Sequence, residues 1–141
     1  MKTYHHGNLK KELIKCACVM CERDGYTKLS IRSLAKESKV SQTAPYRHFK
    51  TKEDLYAAIV KEGFDKLNKK MMSIKIKDSK NYLIGCGKTY IDFGLNNANT
   101  YDLMFGTAVG NYADYPDLSE SANNLFQFLL SSFRKLSDDD D

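Results

Sequence analysis

The densest run of side chains able to make directed hydrogen bonds is Ser41, Gln42, Thr43, Tyr46, Arg47 and His48, with Lys52 a little further on. Gln can pair with adenine through two hydrogen bonds, and Ser, Tyr and Lys suit phosphate oxygens. No nucleophile–base pair, glycine-rich phosphate loop or convergent metal set accompanies them, so the chemistry on offer is recognition and not catalysis. The adjacent His5 and His6 are a weak metal signal by themselves. Cys16, Cys18 and Cys21 fall in one expected helix, and at about 100° per residue Cys16 and Cys18 point nearly opposite ways. They read as reduced, mostly buried thiols beside the distant Cys86, and neither metal nor cofactor is expected.

The elements that position this run are expected to be two short helices and a tight turn over residues 30–49. Ser30 is a good N-cap, and Ile31, Leu34 and Ala35 make one apolar stripe at helical spacing. The turn falls at Ser38, Lys39 and Val40, with Val40 plugging the core. Ser41 caps a second helix over 42–49, with Ala44 and Phe49 inward and Gln42, Thr43, Tyr46, Arg47 and His48 outward or on the flanks. A short donor-rich helix set on a helix-turn-helix fits a DNA major groove.

Ahead of it, residues 1–7 read as an arm carrying Lys2, Tyr4, His5 and His6, either reaching DNA or frayed. Asn8 is a candidate cap for a helix to about Asp24, with Leu9, Leu13, Ala17, Met20 and Cys21 inward and Gly25 ending it. After the run, Thr51 with Asp54 forms a near-capping box for a helix over 52–72, with Leu55, Ile59, Phe64, Leu67 and Met71 as its core face.

The second half gives helices over 81–97, with Leu83, Tyr90, Ile91 and Phe93 apolar, and over 101–109, then a turn at 114–117 and an amphipathic helix over 118–136. Tyr90, Phe93, Tyr101, Met104 and Phe105 fit the lining of a small-molecule pocket and equally an ordinary core. The tail over 138–141 is an acidic run expected to be disordered.

Charge divides the chain in the same place. Residues 1–77 hold 18 Lys+Arg and 8 Asp+Glu, a net +10, while 78–141 hold 4 and 10, a net −6. A polyanion-facing surface is therefore expected at the front. No apolar run is long enough to span a bilayer and no signal-peptide pattern opens the chain, so a cytoplasmic, non-membrane protein is expected.

The stretch GYTKLSIRSLAKESKVSQTAPYRHFKTKEDL, residues 25–55, resembles the DNA-binding domain of the TetR family of bacterial transcriptional regulators. The match covers about residues 8–65. The opening Tyr4-His5-His6-Gly7-Asn8-Leu9 and the stretch YIDFGLNNANTYDLMFG, residues 90–106, resemble one branch, whose ligand domain carries a Trp-His-Gly signature. The resemblance implies an all-α fold: an N-terminal three-helix helix-turn-helix domain (1–66), joined by a linking helix to a partial helical ligand-binding and dimerisation domain (67–141). It further implies a non-enzymatic, ligand-responsive repressor that binds a palindromic double-stranded DNA operator as a homodimer and is released by a small-molecule effector. Carried onto this chain, Gln42, Thr43, Pro45, Tyr46 and His48 would face bases and sugar-phosphate, with Arg32, Ser41 and Lys52 positioning the backbone.

The chain departs from that pattern in having Lys39 where the turn usually has Gly, Pro45 inside the second helix, and no Trp. It ends about one helix beyond Pro116, so a C-terminally truncated regulator is expected, with dimerisation falling to the helix over 118–136. The alternative is a truncated regulator with weak, non-specific DNA binding that acts through protein–protein contacts.

Overall fold

A computed structural model describes residues 8–139 of the chain. The arm expected over 1–7 and the last two residues lie outside the described residues. The described residues are helical throughout, without strands: α1 (Leu9–Asp24), α2 (Ile31–Glu37), α3 (Lys52–Met72), α4 (Ser79–Asn96), α5 (Ala98–Met104) and α6 (Pro116–Asp139). Single 3-10 turns fall at Tyr26–Lys28, Pro45–Arg47 and Tyr112–Asp114.

Local chemistry sets most boundaries. Asn8 stands at the start of α1 and its carbonyl accepts the Glu12 N–H, but its side chain makes no cap. Gly25 ends α1 at φ 84°, a conformation that a Cβ would strain. Ser30 and Ser33 form a reciprocal capping box on α2, and Thr51 and Asp54 form another on α3. The turn after α2 puts Lys39 at φ 56°, in the left-handed region.

The 21-residue α3 is the axle of the fold. It packs against α1, α4, α5 and α6, while α1 also packs on α2 and α5, and α4 on α6. Leu55, Ile59, Val60, Phe64, Leu67 and Met71 are its buried face, and Leu13, Ala17 and Cys21 of α1 join the same core. Tyr56 is fixed against the first turn by an edge-on ring contact with Tyr26 (5.5 Å between centroids) and by donating its hydroxyl hydrogen to the Tyr26 carbonyl at 2.9 Å. The helix runs unbroken across the domain boundary expected after residue 66.

The second half keeps the expected break between its first two helices and departs from expectation elsewhere. Asn97 breaks the chain between α4 and α5: its buried side-chain amide donates to the Phe93 carbonyl at 3.0 Å and its oxygen accepts from Lys66 Nζ at 2.8 Å. The helix expected over 101–109 is therefore α5, ending at Met104, where Gly106 brings the chain back over the Asp102 carbonyl. Ile91, one of the apolar positions of the helix expected over 81–97, is 60% exposed. Finally, α6 begins at Pro116, whose fixed φ suits a first helical position, and continues through Asp139, so the acidic tail is helical that far. Extending a formed helix costs little, which is why composition misjudged it.

Candidate nucleic-acid interface

The recognition segment is tighter than the helix expected over 42–49. Residues 42–44 are turns, and Pro45–Arg47 is one 3-10 turn. Pro45 explains the difference: it has no N–H to give the Ser41 carbonyl, which instead accepts the Ala44 N–H at 3.1 Å. The segment is pinned from below by Phe49, 2% exposed, whose N–H donates to the Pro45 carbonyl at 2.9 Å.

Pinning the underside fixes what faces out. Ser41, Gln42, Thr43, Tyr46 and Arg47 are exposed, Tyr46 to 51%. The Ser41 and Thr43 hydroxyls share a hydrogen bond at 3.3 Å. His48 is half-buried, its ring 6.4 Å from that of Phe49 and tilted edge-on. Pro45, expected to face DNA, is buried instead, because the 3-10 turn rotates its ring onto the core. Its role in this segment is to shape the backbone.

Arg32 and Gln42, from different elements, border one shallow cleft of about 600 Å³ with Ser30, Ser33, Lys36 and Val40. Lys36 is an exposed cation in the last turn of α2 that sequence reading passed over. Its signal was present: it lies one turn after Arg32 on the same face. Lys52 opens α3, exposed, with its ammonium 5.5 Å from the centre of the Tyr56 ring. Part of the competing negative charge is offset, since Arg23 binds both Asp24 and Glu37, each at 2.7 Å. Those hydrogen bonds hold the Asp24 carboxyl below its ordinary range.

Tyr90, Phe93, Tyr101, Met104 and Phe105, which fit a pocket lining and an ordinary core alike, divide between the core and an aromatic cluster. Phe93 and Met104 are core residues, each 1% exposed. Tyr90, Tyr101 and Phe105 form an aromatic cluster with Phe64, in which the Tyr90 and Tyr101 hydroxyls are 2.7 Å apart. A larger cleft, about 680 Å³, lies between α1 and α3, with Ile14, Cys18, Val19 and Ile59 on its walls and Glu22, Lys66 and Asn97 at one end. Glu22 is engaged there, accepting the Thr100 N–H and hydroxyl at 2.9 and 2.8 Å. Burial pushes the Cys18 thiol up to about 12 and the Cys21 thiol to about 11, so both are poor nucleophiles. Among the described residues, no group of three His, Cys, Asp or Glu side chains is placed to hold a metal ion, and no helix is long and apolar enough to cross a membrane.

Comparison with known proteins bears on the same segment. Residues 13–59 match the family model described as bacterial regulatory proteins, tetR family. An uncharacterized HTH-type transcriptional regulator, YuxN, of Bacillus subtilis (strain 168) is 32% identical over 68 residues, which is 48% of this chain and 23% of that protein. The match thus spans about a quarter of that relative's length. Among solved structures, a protein of unknown function from Rhodococcus sp. RHA1 superposes with a TM-score of 0.81 at 25% identity, over 97% of this chain and 72% of that one. A tetR-family transcriptional regulator from Streptomyces coelicolor superposes with a TM-score of 0.71 at 20% identity, over 92% and 59%. Residues 13–59 thus form a helix-turn-helix domain of the tetR-regulator type, carried on an all-helical scaffold whose fold tetR-family regulators share.

Proposed function

We propose that the chain is a sequence-specific DNA-binding transcriptional regulator, a repressor released by a small-molecule effector and working as a homodimer. The carrying observation is the recognition segment: an outward set of Ser41, Gln42, Thr43, Tyr46 and Arg47 on a turn anchored by Pro45 and Phe49. In this reading Gln42 and Thr43 read base edges, with His48 at the flank. Tyr46, Ser41, Arg32 and Lys52 hold phosphates on either side. Lys52 has the added help of the N-terminal end of α3, where free backbone N–H groups favour anions. Residues 1–66 are the DNA-facing unit and 67–141 the regulatory one, with α3 shared between them.

A homodimer is supported by an apolar face on two helices that pack together. Ile84, Ile91 and Leu95 of α4 are 62%, 60% and 75% exposed, and Phe126 and Phe133 of α6 are each 60% exposed. Their spacings of seven, four and seven residues put each set on one side of its helix. A second copy meeting this face would bring two recognition segments onto one duplex, where half-sites lie about 34–36 Å apart.

The test is a salt titration of binding to DNA fragments from upstream of the chain's own gene, with Tyr46→Ala beside the parent. Fragment-selective binding that the substitution weakens supports the reading. Weak binding that ignores both fragment and substitution, and disappears with salt, favours a regulator acting through protein contacts at the α4/α6 face.

A further inference from the structure

The first turn of α3 carries two adjacent carboxylates, and both are held from the second half of the chain. Glu53 Oε1 accepts the Gly110 N–H at 3.1 Å, and Asp54 Oδ1 accepts the Tyr115 hydroxyl at 3.3 Å. The other oxygen of Asp54 is occupied differently. Oδ2 accepts the backbone N–H groups of Lys50 and Thr51, each at 3.1 Å, while the Thr51 hydroxyl accepts the Asp54 N–H at 3.1 Å. One carboxylate therefore bridges the peptides that leave the recognition segment and a residue sixty-one positions later, at the entrance to α6.

Tyr115 is itself well placed. Its N–H donates to the Tyr112 carbonyl at 3.0 Å, Asn111 Oδ1 caps the same 3-10 turn by accepting the Ala113 N–H at 3.0 Å, and Pro116 stiffens the next position. Burial, then the neighbouring Glu53, Asp54 and Asp114 carboxylates, push its phenol up to about 12, so it remains a hydrogen donor at neutral pH. A cleft of about 470 Å³ opens beside the contact, bordered by His48, Phe49, Asp54, Tyr115 and Lys10. The carboxylate thus has room to turn if the hydroxyl lets go.

We propose that Tyr115 is a positioning residue for the recognition segment: by holding Asp54 Oδ1 it fixes the carboxylate that ties down Lys50 and Thr51, and so tunes DNA binding without touching DNA. The inference rests on the reading of the recognition segment as DNA-facing. It makes the segment between α5 and α6 the route by which an event in the second half reaches the DNA-facing one.

The test compares the parent chain with Tyr115→Phe, Asp54→Asn, the double variant and Tyr46→Ala. Amide hydrogen exchange, melting temperature and DNA affinity across a salt series are measured on each. Tyr115→Phe keeps the ring and should leave the melting temperature within a few degrees. It should speed exchange at Lys50 and Thr51 several-fold relative to α1 amides. Affinity should weaken by about 3–10-fold with an unchanged salt slope, and the double variant should bind no more weakly than Asp54→Asn alone. Unchanged exchange and affinity in Tyr115→Phe overturn the proposal. So do additive effects in the double variant, which would mean that Tyr115 acts on DNA binding independently of Asp54. If Tyr46→Ala binds as the parent does, the DNA reading fails and this proposal with it, while faster exchange in Tyr115→Phe would still establish the hydrogen-bond link on its own.

Discussion

Met104 of α5 occupies the space that a side chain at residue 63 of α3 would need. A Cβ on Gly63 would stand 2.5 Å from Met104 Sδ and 3.0 Å from its Cγ. Helix propensity favours Ala over Gly by about 1 kcal/mol, but overpacking a buried contact costs about 1–3 kcal/mol. Gly63→Ala is therefore expected to lose about 1 kcal/mol in urea unfolding. In a Met104→Ala background the same change should turn stabilising, since propensity then faces only the milder contact with Thr100 Cγ2 at 3.3 Å.

Lys39 holds a left-handed conformation at φ 56° that glycine adopts without strain. The strain is about 1–2 kcal/mol, and a glycine returns about 0.5–1 kcal/mol of it as extra freedom in the unfolded chain. Lys39→Gly should therefore raise stability by about 0.5 kcal/mol, read from the urea midpoint. A loss instead would mean that the lysine stem packs on the turn more than its exposure indicates.

Phe49 and Tyr46 sit three residues apart and should separate folding from recognition. Phe49→Ala removes a ring that is 2% exposed, and a loss of about 3–5 kcal/mol is expected by calorimetry or urea. Tyr46 is 51% exposed, so Tyr46→Ala should change stability by less than about 0.5 kcal/mol while weakening DNA binding about tenfold.

The buried thiols predict an alkaline limit. The ordinary value for a Cys thiol is 9.0, and the fold raises Cys18 to about 12 and Cys21 to about 11. Raised acids of this kind leave stability whole below pH 9, and stability falls as pH climbs through 9 towards 12. The melting temperature should drop between pH 8 and pH 10.5, by less in Cys18→Ala,Cys21→Ala than in the parent. At pH 8 both thiols should resist a thiol reagent until the chain is unfolded.

Leu95 and Phe133 lie on the exposed apolar face of α4 and α6, 75% and 60% exposed. If two copies meet there, Leu95→Lys with Phe133→Lys should shift sedimentation towards the monomer without altering the circular dichroism of the helices. Unchanged sedimentation of an existing dimer would move the contact elsewhere.

What could be read without coordinates was local. Ser30, Thr51 and Gly25 mark their boundaries through bonds to residues within a few positions, and α1, α2 and α3 followed from them. The recognition segment was found, but the second helix was expected to continue through Pro45, which instead converts the segment to turns. The α4–α5 break was legible at Asn97, but its tie to Lys66, thirty-one positions away, and the early end of α5 at Met104 were not. The aromatic residues of the second half were recognised as a group, yet whether a ring joins a core or a cavity depends on which helix faces it. Ile91 shows the converse, an apolar residue of the expected helix that faces away from the core.

The shortness of the recognition segment sets how much it can say. From Ser41 to Arg47 is six steps, about 12 Å at 2.0 Å per residue, the length of about four base pairs. Four base pairs carry about eight bits, an address that recurs by chance every few hundred positions. Two copies carry about sixteen bits, and singling out one site among about a million requires about twenty. For a regulator built on this segment, the shape and stiffness of the DNA between the two addresses, where no side chain of the segment reaches, can supply missing bits.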